Sequence, residues 1–452
     1  MQGWEQHHRA VEALRASYRR IGPGDPVRLA KRTSNLFRPR AESSGPGLDV
    51  SGLDGVIAID TAAGTADVQG MCTYERLVDE VLPHGFIPTV VPQLRTITLG
   101  GAVTGLGIES TSLRNGLPHE AVLEMDILTG SGDLVTATPD NEHAELFEAF
   151  PNSYGSLGYA VRLRIRLEKV PRFVALRHVR ANGATDAVKI VEEVADSAAY
   201  DGQRVDAIDG TAFAPDEIYL TLATFTDTSG PTSDYTGQDI YFRSIRERRS
   251  DRLTMLDYLW RWDTDWFWCS GAFGAQHPVV RRVWPRRWRR SDVYHKLVGL
   301  DTKYGASKLL DRVKGVPGRE KVIQDIEVPL ERLGDFLEWF DAEVGMRPVW
   351  LCPLRTTRAW PTYPLEPGRL YVNAGFWGTV VVPAHTPPGT VNRRIEEAVH
   401  RLGGHKSLYS EAFYDRPTFD SLYDTARLDR LRQQYDPDER LSTLYDKAVR
   451  NS

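Results

Sequence analysis

The chain has little cysteine. Cys72, Cys269 and Cys352 are the only three in 452 residues, and they are far apart. That spacing excludes a disulfide framework and a cysteine-based metal cluster, and it leaves buried thiols in a reducing compartment as the plain reading. Long apolar runs are missing: no window approaches 18 apolar residues, so no membrane span is predicted. The first residues, MQGWEQHHRAVEALRASYRRIG, lack the apolar centre of a secretory signal and read as an amphipathic helix. An excess of positive charge is missing too. The formal net charge is −5, which provides no global field for nucleic acid. Repeats and low-complexity tracts do not occur. The dinucleotide fingerprint G-x-G-x-x-G is also absent: Gly105 and Gly107 approach it, without the third glycine at the right offset.

What is present points to a globular α+β protein. Hydrophobic residues make up 41% and charged residues 26%, and the length exceeds one compact core, so two or three domains are expected. TYERLVDEVLPHGF predicts a helix with Tyr74, Leu77, Val78 and Val81 on one side and a stop at His84-Gly85. HEAVLEMDILTGSGDLVTATP predicts a hairpin. NEHAELFEAF predicts a short helix capped by Asp140 or Asn141. YAVRLRIRLEKV predicts a strand with Leu163 and Ile165 inward and Arg162, Arg164 and Arg166 outward. EIYLTLATFTD predicts a strand, and from about 320 onward the pattern predicts a β-α-β-β-α order, a sheet with helices on one side.

Two stretches stand out. TITLGGAVTGLGIESTSLRNG, residues 96–116, carries five glycines around Glu109. Glycines after a β-branched run suit close backbone approach to a flat or anionic ligand, and equally a tight connector. The second stretch is rich in tryptophan and arginine. Six of the eleven tryptophans fall between Trp260 and Trp288, and residues 281–290 hold six arginines and two tryptophans. A nucleic-acid patch, a contact with an anionic membrane and a salt-bridged domain face all fit that composition.

Residues 88–117, PTVVPQLRTITLGGAVTGLGIESTSLRNGL, resemble the second half of the flavin site in PCMH-type FAD-binding domains of the vanillyl-alcohol oxidase fold. More narrowly they resemble the Δ24-sterol reductase branch. The likeness continues in LTGSGDLVTATPDNEHAELFEAFPNSYGSLGYAV, RPVWLCPLR, RLYVNAGFWG, GGHKSLYSEAFYDRPTFDSLYD and LSTLYDKAV, and so covers nearly the whole chain. It implies a PCMH-type FAD-binding domain of two α+β subdomains at 1–170 and an α+β substrate-binding cap domain at 171–430. The cap would include the Trp/Arg-rich segment 255–295, and residues 431–452 would return towards the FAD domain. FAD contacts are implied at Thr33, Ser34 and Asn35 of KRTSNLFR. Others fall at Pro92, Gln93, Thr98, Gly100, Gly101, Thr104, Gly105, Gly107, Ile108, Glu109 and Ser110, and at Gly155, Ser156, Gly158 and Val161. KRTSNLFR lacks the loop histidine that tethers FAD in many such proteins, so non-covalent FAD is expected, and no metal.

The resemblance further implies an NADPH-dependent oxidoreductase that reduces an isolated carbon–carbon double bond. Such an alkene needs an acid beside the hydride source. His405, Tyr409, Glu411 and Asp415 are the candidates, with Glu411 and Asp415 on one face if helical. Trp350, Tyr371, Asn373 and Trp377 are expected on strands, either covering the flavin or in the core. A composition rich in Arg, Ala, Gly and Asp resembles actinobacterial proteins. Within that branch the chain most resembles reductases that convert a 10-methylene fatty acyl chain of a phospholipid to the 10-methyl chain of tuberculostearate. This reading implies a long-chain lipid substrate, an S-adenosylmethionine-dependent fatty-acyl methyltransferase as partner, and contact of residues 281–290 with anionic membrane rather than nucleic acid. The place would be the cytoplasm, peripheral at the inner face of the cell membrane. The alternatives are a sterol or isoprenoid alkene reductase, an FAD-dependent alcohol or sugar oxidase, and a non-enzymatic lipid- or nucleic-acid-binding protein.

Overall fold

The computed structural model describes residues 2–31, 37–38, 45–304 and 317–450. The fold is α+β, with two large antiparallel sheets that meet in the chain near residue 170 and a two-stranded ribbon, Ala199–Tyr200 with Gln203–Arg204. The first sheet has six strands: Val56–Asp60, Thr65–Gln69, Phe86–Pro88, Val122–Leu128, Leu134–Ala137 and Tyr159–Lys169. Tyr159–Lys169 is its centre and pairs with Thr65–Gln69, Phe86–Pro88 and Val122–Leu128. The alternation read from the sequence holds at Leu163, Ile165, Arg164 and Arg166, but Arg162 is buried. Its guanidinium ion-pairs with Asp67 at 2.5 Å, Asp126 at 2.6 Å and Glu124, and lies 5.7 Å from the Trp4 ring of the N-terminal helix Gly3–Tyr18. A charge can be buried there because carboxylates on two neighbouring strands surround it.

Helix Tyr74–Val81 is capped by the Thr73 side chain and buries the four predicted residues. Gly85 ends the following 3₁₀ turn at φ +80°, a conformation suited to glycine. The hairpin Val122–Leu128/Leu134–Ala137 is present. Helix Ala144–Ala149 starts from His143, not from Asp140 or Asn141. Asn141 Oδ1 instead closes the preceding turn, accepting from the His143 N–H at 3.0 Å and the Thr138 N–H at 3.2 Å.

The second sheet has eight strands, ordered in space Ser250–Thr254, Phe173–Ala181, Glu217–Thr226, Ala207–Ala214, Val349–Leu354, Tyr371–Val381, Arg319–Pro329 and His405–Lys406. Helices Ala184–Ser197, Leu333–Glu343 and Thr390–Arg401 share one core with this sheet through Ile190, Phe336, Phe340 and Ile395. The β-α-β-β-α order predicted after residue 320 is therefore found. The tail then comes back to the first domain. Helix Thr425–Tyr435 brings the Tyr435 hydroxyl to His143 Nδ1 at 2.8 Å, the Val27 N–H donates to the Arg440 carbonyl at 2.8 Å, and Lys447 Nζ donates to the Gly155 carbonyl at 2.9 Å.

Candidate functional site

A cavity of about 1020 Å³ is lined by both sheet domains and the tail. One group of lining residues is cationic: Arg28, Lys31, Arg38 and Lys447. A second group is the glycine segment. A third consists of Trp266, Phe267, Trp350, Trp377, Asp325 and Asn373 from the Trp-rich segment and the second sheet, joined by Tyr409.

The glycine segment is flat because its own neighbours leave no room for side chains. Thr98 caps the short helix Leu99–Thr104 by accepting from the Gly101 N–H at 3.2 Å. A Cβ on Gly100 would lie 2.6 Å from the Gly70 carbonyl oxygen, and one on Gly107 would lie 2.8 Å from Pro92 Cγ and 2.9 Å from Pro118 Cγ. The bare backbone that results faces the cavity. Of the residues implied to contact FAD, Pro92, Gln93, Thr98, Gly100, Gly101, Thr104, Gly105, Gly107, Ile108 and Gly155 line it. Thr33, Ser34 and Asn35 lie outside the described residues. Ser156, Gly158 and Val161 are off the lining: the Ser156 carbonyl accepts from Arg432, Gly158 packs on strand Val122–Leu128, and Val161 joins the core under the N-terminal helix.

Glu109 and Ser110 also lie behind the cavity, where they join the two domains. Arg261, fully buried, donates to Glu109 Oε1 at 2.9 Å and to Asp209 Oδ2 at 3.0 Å. Asp209 accepts as well from the indoles of Trp262 at 2.8 Å and Trp350 at 3.3 Å. Ser110 Oγ donates to Glu109 at 2.5 Å and lies 2.6 Å from the Tyr258 hydroxyl. Burial pushes the Glu109 carboxyl up, against the pull of Arg261. The carboxylate amid the glycines is thus a structural anchor for the Trp-rich segment.

That segment presents Trp266 and Phe267 to the cavity at φ +46° and +59°, a left-handed pair that costs strain and persists only where its surroundings fix it. Two flanking carboxylates fix it. Asp263 accepts from Arg95 Nε at 2.8 Å and from Ser291 Oγ at 2.5 Å, and Asp265 accepts from Arg281 Nη1 at 2.7 Å. Of the six arginines in 281–290, Arg281 and Arg289 are accordingly buried and Arg290 is half-buried. Arg281 holds Asp265, Arg289 donates to backbone carbonyls including that of Trp284 at 2.9 Å, and Arg290 bridges to Glu75 of the first domain at 2.9 Å. Arg282, Arg286 and Arg287 are exposed, next to exposed Val279, Val283 and Trp288.

The four residues proposed for acid catalysis are not brought together. Tyr409 lines the cavity and accepts from Trp377 Nε1 at 2.9 Å. His405 is off it, enclosed by Tyr363 and Tyr423 with ring centroids 4.5 and 4.7 Å away, and burial lowers its pKa to about 3. Residues 411–415 form no helix, so Glu411 and Asp415 share no helical face. Glu411 does not line the cavity, and Asp415 is an exposed cap for helix Arg416–Leu422, accepting from the Thr418 N–H at 2.8 Å. Trp350, Asn373 and Trp377 line the cavity, whereas Tyr371 is buried in the core. Cys72 is buried with its thiol pushed up to about 12 by desolvation.

The sequence reading missed Asp325, on strand Arg319–Pro329. Its carboxyl accepts from Asn373 Nδ2 at 3.0 Å, and burial raises its pKa to about 6. Glu327 faces the same way and takes a hydrogen bond from the Tyr363 hydroxyl. The sequence signal was available: Val322, Ile326 and Val328 pack on the helices, so strand alternation places Asp325 and Glu327 together on the opposite face.

The cavity suits FAD. Cationic side chains and bare glycine backbone suit a diphosphate, and the aromatic side chains suit a flat ring system. Gln93 Nε2 and Asn373 Oδ1, buried polar atoms on lining residues, have no hydrogen-bond partner among the described residues and can bond a bound group. Comparison with known proteins agrees. Residues 8–138 match the FAD binding domain family. The chain is 23% identical to the Delta(24)-sterol reductase of Homo sapiens over 422 residues, 87% of this chain and 76% of the relative. It is 26% identical to that of Arabidopsis thaliana over 453 residues, 89% and 76% respectively. Cytokinin dehydrogenase 6 of Oryza sativa subsp. japonica is 35% identical over 113 residues, 25% of this chain and 21% of the relative. The protein is an FAD-dependent oxidoreductase.

Proposed function

We propose that the enzyme reduces an isolated carbon–carbon double bond in a lipid, with NADPH as the source of electrons. The observation that carries this reading is the aromatic lining, Trp266, Phe267, Trp350 and Trp377, which suits an apolar substrate. The similarity to Delta(24)-sterol reductases along most of the chain supports it, and favours a sterol or isoprenoid side-chain alkene. Bound FAD supplies the electron pair as hydride. This chain's residues hold the substrate, exclude water and supply a proton.

A specific observation favours a second substrate, the 10-methylene acyl chain of an anionic phospholipid. Val279, Val283 and Trp288 are 66%, 75% and 48% exposed beside Arg282, Arg286 and Arg287, and no Asp or Glu occurs between Cys269 and Ser291. Exposed aliphatic groups within a cationic patch suit an anionic bilayer surface. A fatty-acyl methyltransferase using S-adenosylmethionine would then supply the alkene. Vesicles of phosphatidylglycerol should sediment the wild type and leave R282E/R287E in solution; equal sedimentation overturns the membrane contact. For the reaction itself, the anaerobic enzyme is treated with NADPH and flavin absorbance is followed. Bleaching, then recovery with hydrogenated product on adding a Δ24-sterol or a 10-methylene phosphatidylglycerol, supports the reading and identifies the substrate. Reoxidation by oxygen with turnover of an alcohol would point to an oxidase.

A further inference from the structure

We propose that Asp325 is the catalytic acid of this site, the group whose proton goes to one carbon of the alkene; the proposal rests on the reductase reading above. Among the described lining residues the carboxylates are Asp54 and Asp325. Asp54 is half exposed and engaged in an ion pair with Arg76 at 2.9 Å. Asp325 is half-buried and faces the cavity among Trp377, Tyr409 and Asn373.

The sheet is shaped for this carboxyl. Asp325 is opposite Gly375 in register, and Trp350 pairs with the same glycine from the other side. A Cβ on Gly375 would strike both Asp325 Oδ1 and the Trp377 ring, so the missing side chain is the space into which the carboxyl leans. The groups around Asp325 are Glu327 on its own strand, Asn373 and Trp377 on the neighbouring strand, Cys352 on the strand beyond, Tyr409 from the tail and Tyr154 of the first domain. None is cationic, so no fixed charge holds Asp325 ionised, and burial favours its protonated form around neutrality more than for an ordinary aspartate. After transfer, Asn373 Nδ2 and the Tyr409 hydroxyl are placed to stabilise the carboxylate.

The step balances. The O–H bond of Asp325 breaks as a C–H bond forms with the π electrons of the alkene. The adjacent carbon receives hydride, the electron pair given up by reduced flavin. The alkene would thus gain two hydrogens at the cost of the hydride that bound reduced FAD would supply, and Asp325 recovers its proton from water before the next turnover.

The test is the full-length holoenzyme and its D325N variant, assayed with the alkene on which the wild type turns over. D325N should bleach with NADPH at the wild-type rate and form product about 100-fold more slowly or worse, the range for loss of a general acid. D325E should recover part of that loss. A second measurement needs no turnover: the melting temperature of wild type relative to D325N should fall as pH rises through about 6. Product formation by D325N at the wild-type rate, or a melting difference that does not change with pH, overturns the assignment. A wild type that bleaches but hydrogenates neither lipid alkene instead overturns the reductase reading and takes the assignment with it.

Discussion

The two sides of the cavity reach flatness by opposite means. The glycine segment is flat by omission: Gly100 and Gly107 lie so close to Gly70, Pro92 and Pro118 that no side chain fits. The facing side is flat by filling, with indole and phenyl rings from two sequence regions, and its one omission, Gly375, is occupied by a carboxyl. The first device is local and tolerates no added atom. The second depends on contacts between distant segments, so its weak points are the ion pairs that hold it.

The comparison can be broken most severely where the sides are joined. R261M should cost about 3–5 kcal/mol of unfolding free energy, because Glu109 and Asp209 would be left buried without their cation. Urea denaturation measures this, and a loss under about 1 kcal/mol would show that the sides stand independently. D325N acts in the opposite direction. The folded protein raises the Asp325 pKa from 3.8 to about 6, so it binds this proton more tightly than the unfolded chain does. The stability from that proton is fully present below pH 3.8 and is lost as pH rises to about 6. Above that pH D325N should exceed the wild type by up to about 3 kcal/mol, with cavity water reducing the gain; pH-dependent melting curves check it. On the glycine side, G100A should cost about 1–3 kcal/mol by overpacking and lower the flavin content of the purified protein. The smallest effect is expected for R290Q, about 0.2–1 kcal/mol, since the Arg290–Glu75 pair is partly solvated, with side chains 27% and 29% exposed.

The same contrast explains what the sequence made legible. Helix Tyr74–Val81, the hairpin after Val122 and the element order after residue 320 follow local periodicity, and all three are found. The glycine segment was visible because glycine states its backbone requirement in place. Arg162 was misread because its carboxylates come from other strands. Glu109 looked like a ligand contact because its partner Arg261 is 152 positions away. Asp325 was passed over because Gly375 and Asn373, which shape its environment, lie on another strand. In the Trp/Arg segment composition alone did not distinguish Arg281, Arg289 and Arg290, turned to internal carbonyls and carboxylates, from exposed Arg282, Arg286 and Arg287.

The returning tail has a consequence for synthesis on the ribosome. The strands of the second sheet are all made by residue 406, while the domain begun by the first residues still lacks Arg432, Arg440 and Lys447, which bond to Ser156, Tyr18 and Gly155. Of the two sheet domains, the one translated earlier is thus completed later. A stop codon after residue 424 would remove no strand of either sheet, yet it would delete Ser442 and Lys447 from the cavity lining. Chains cut short there would keep most of their secondary structure and lose one part of the flavin site.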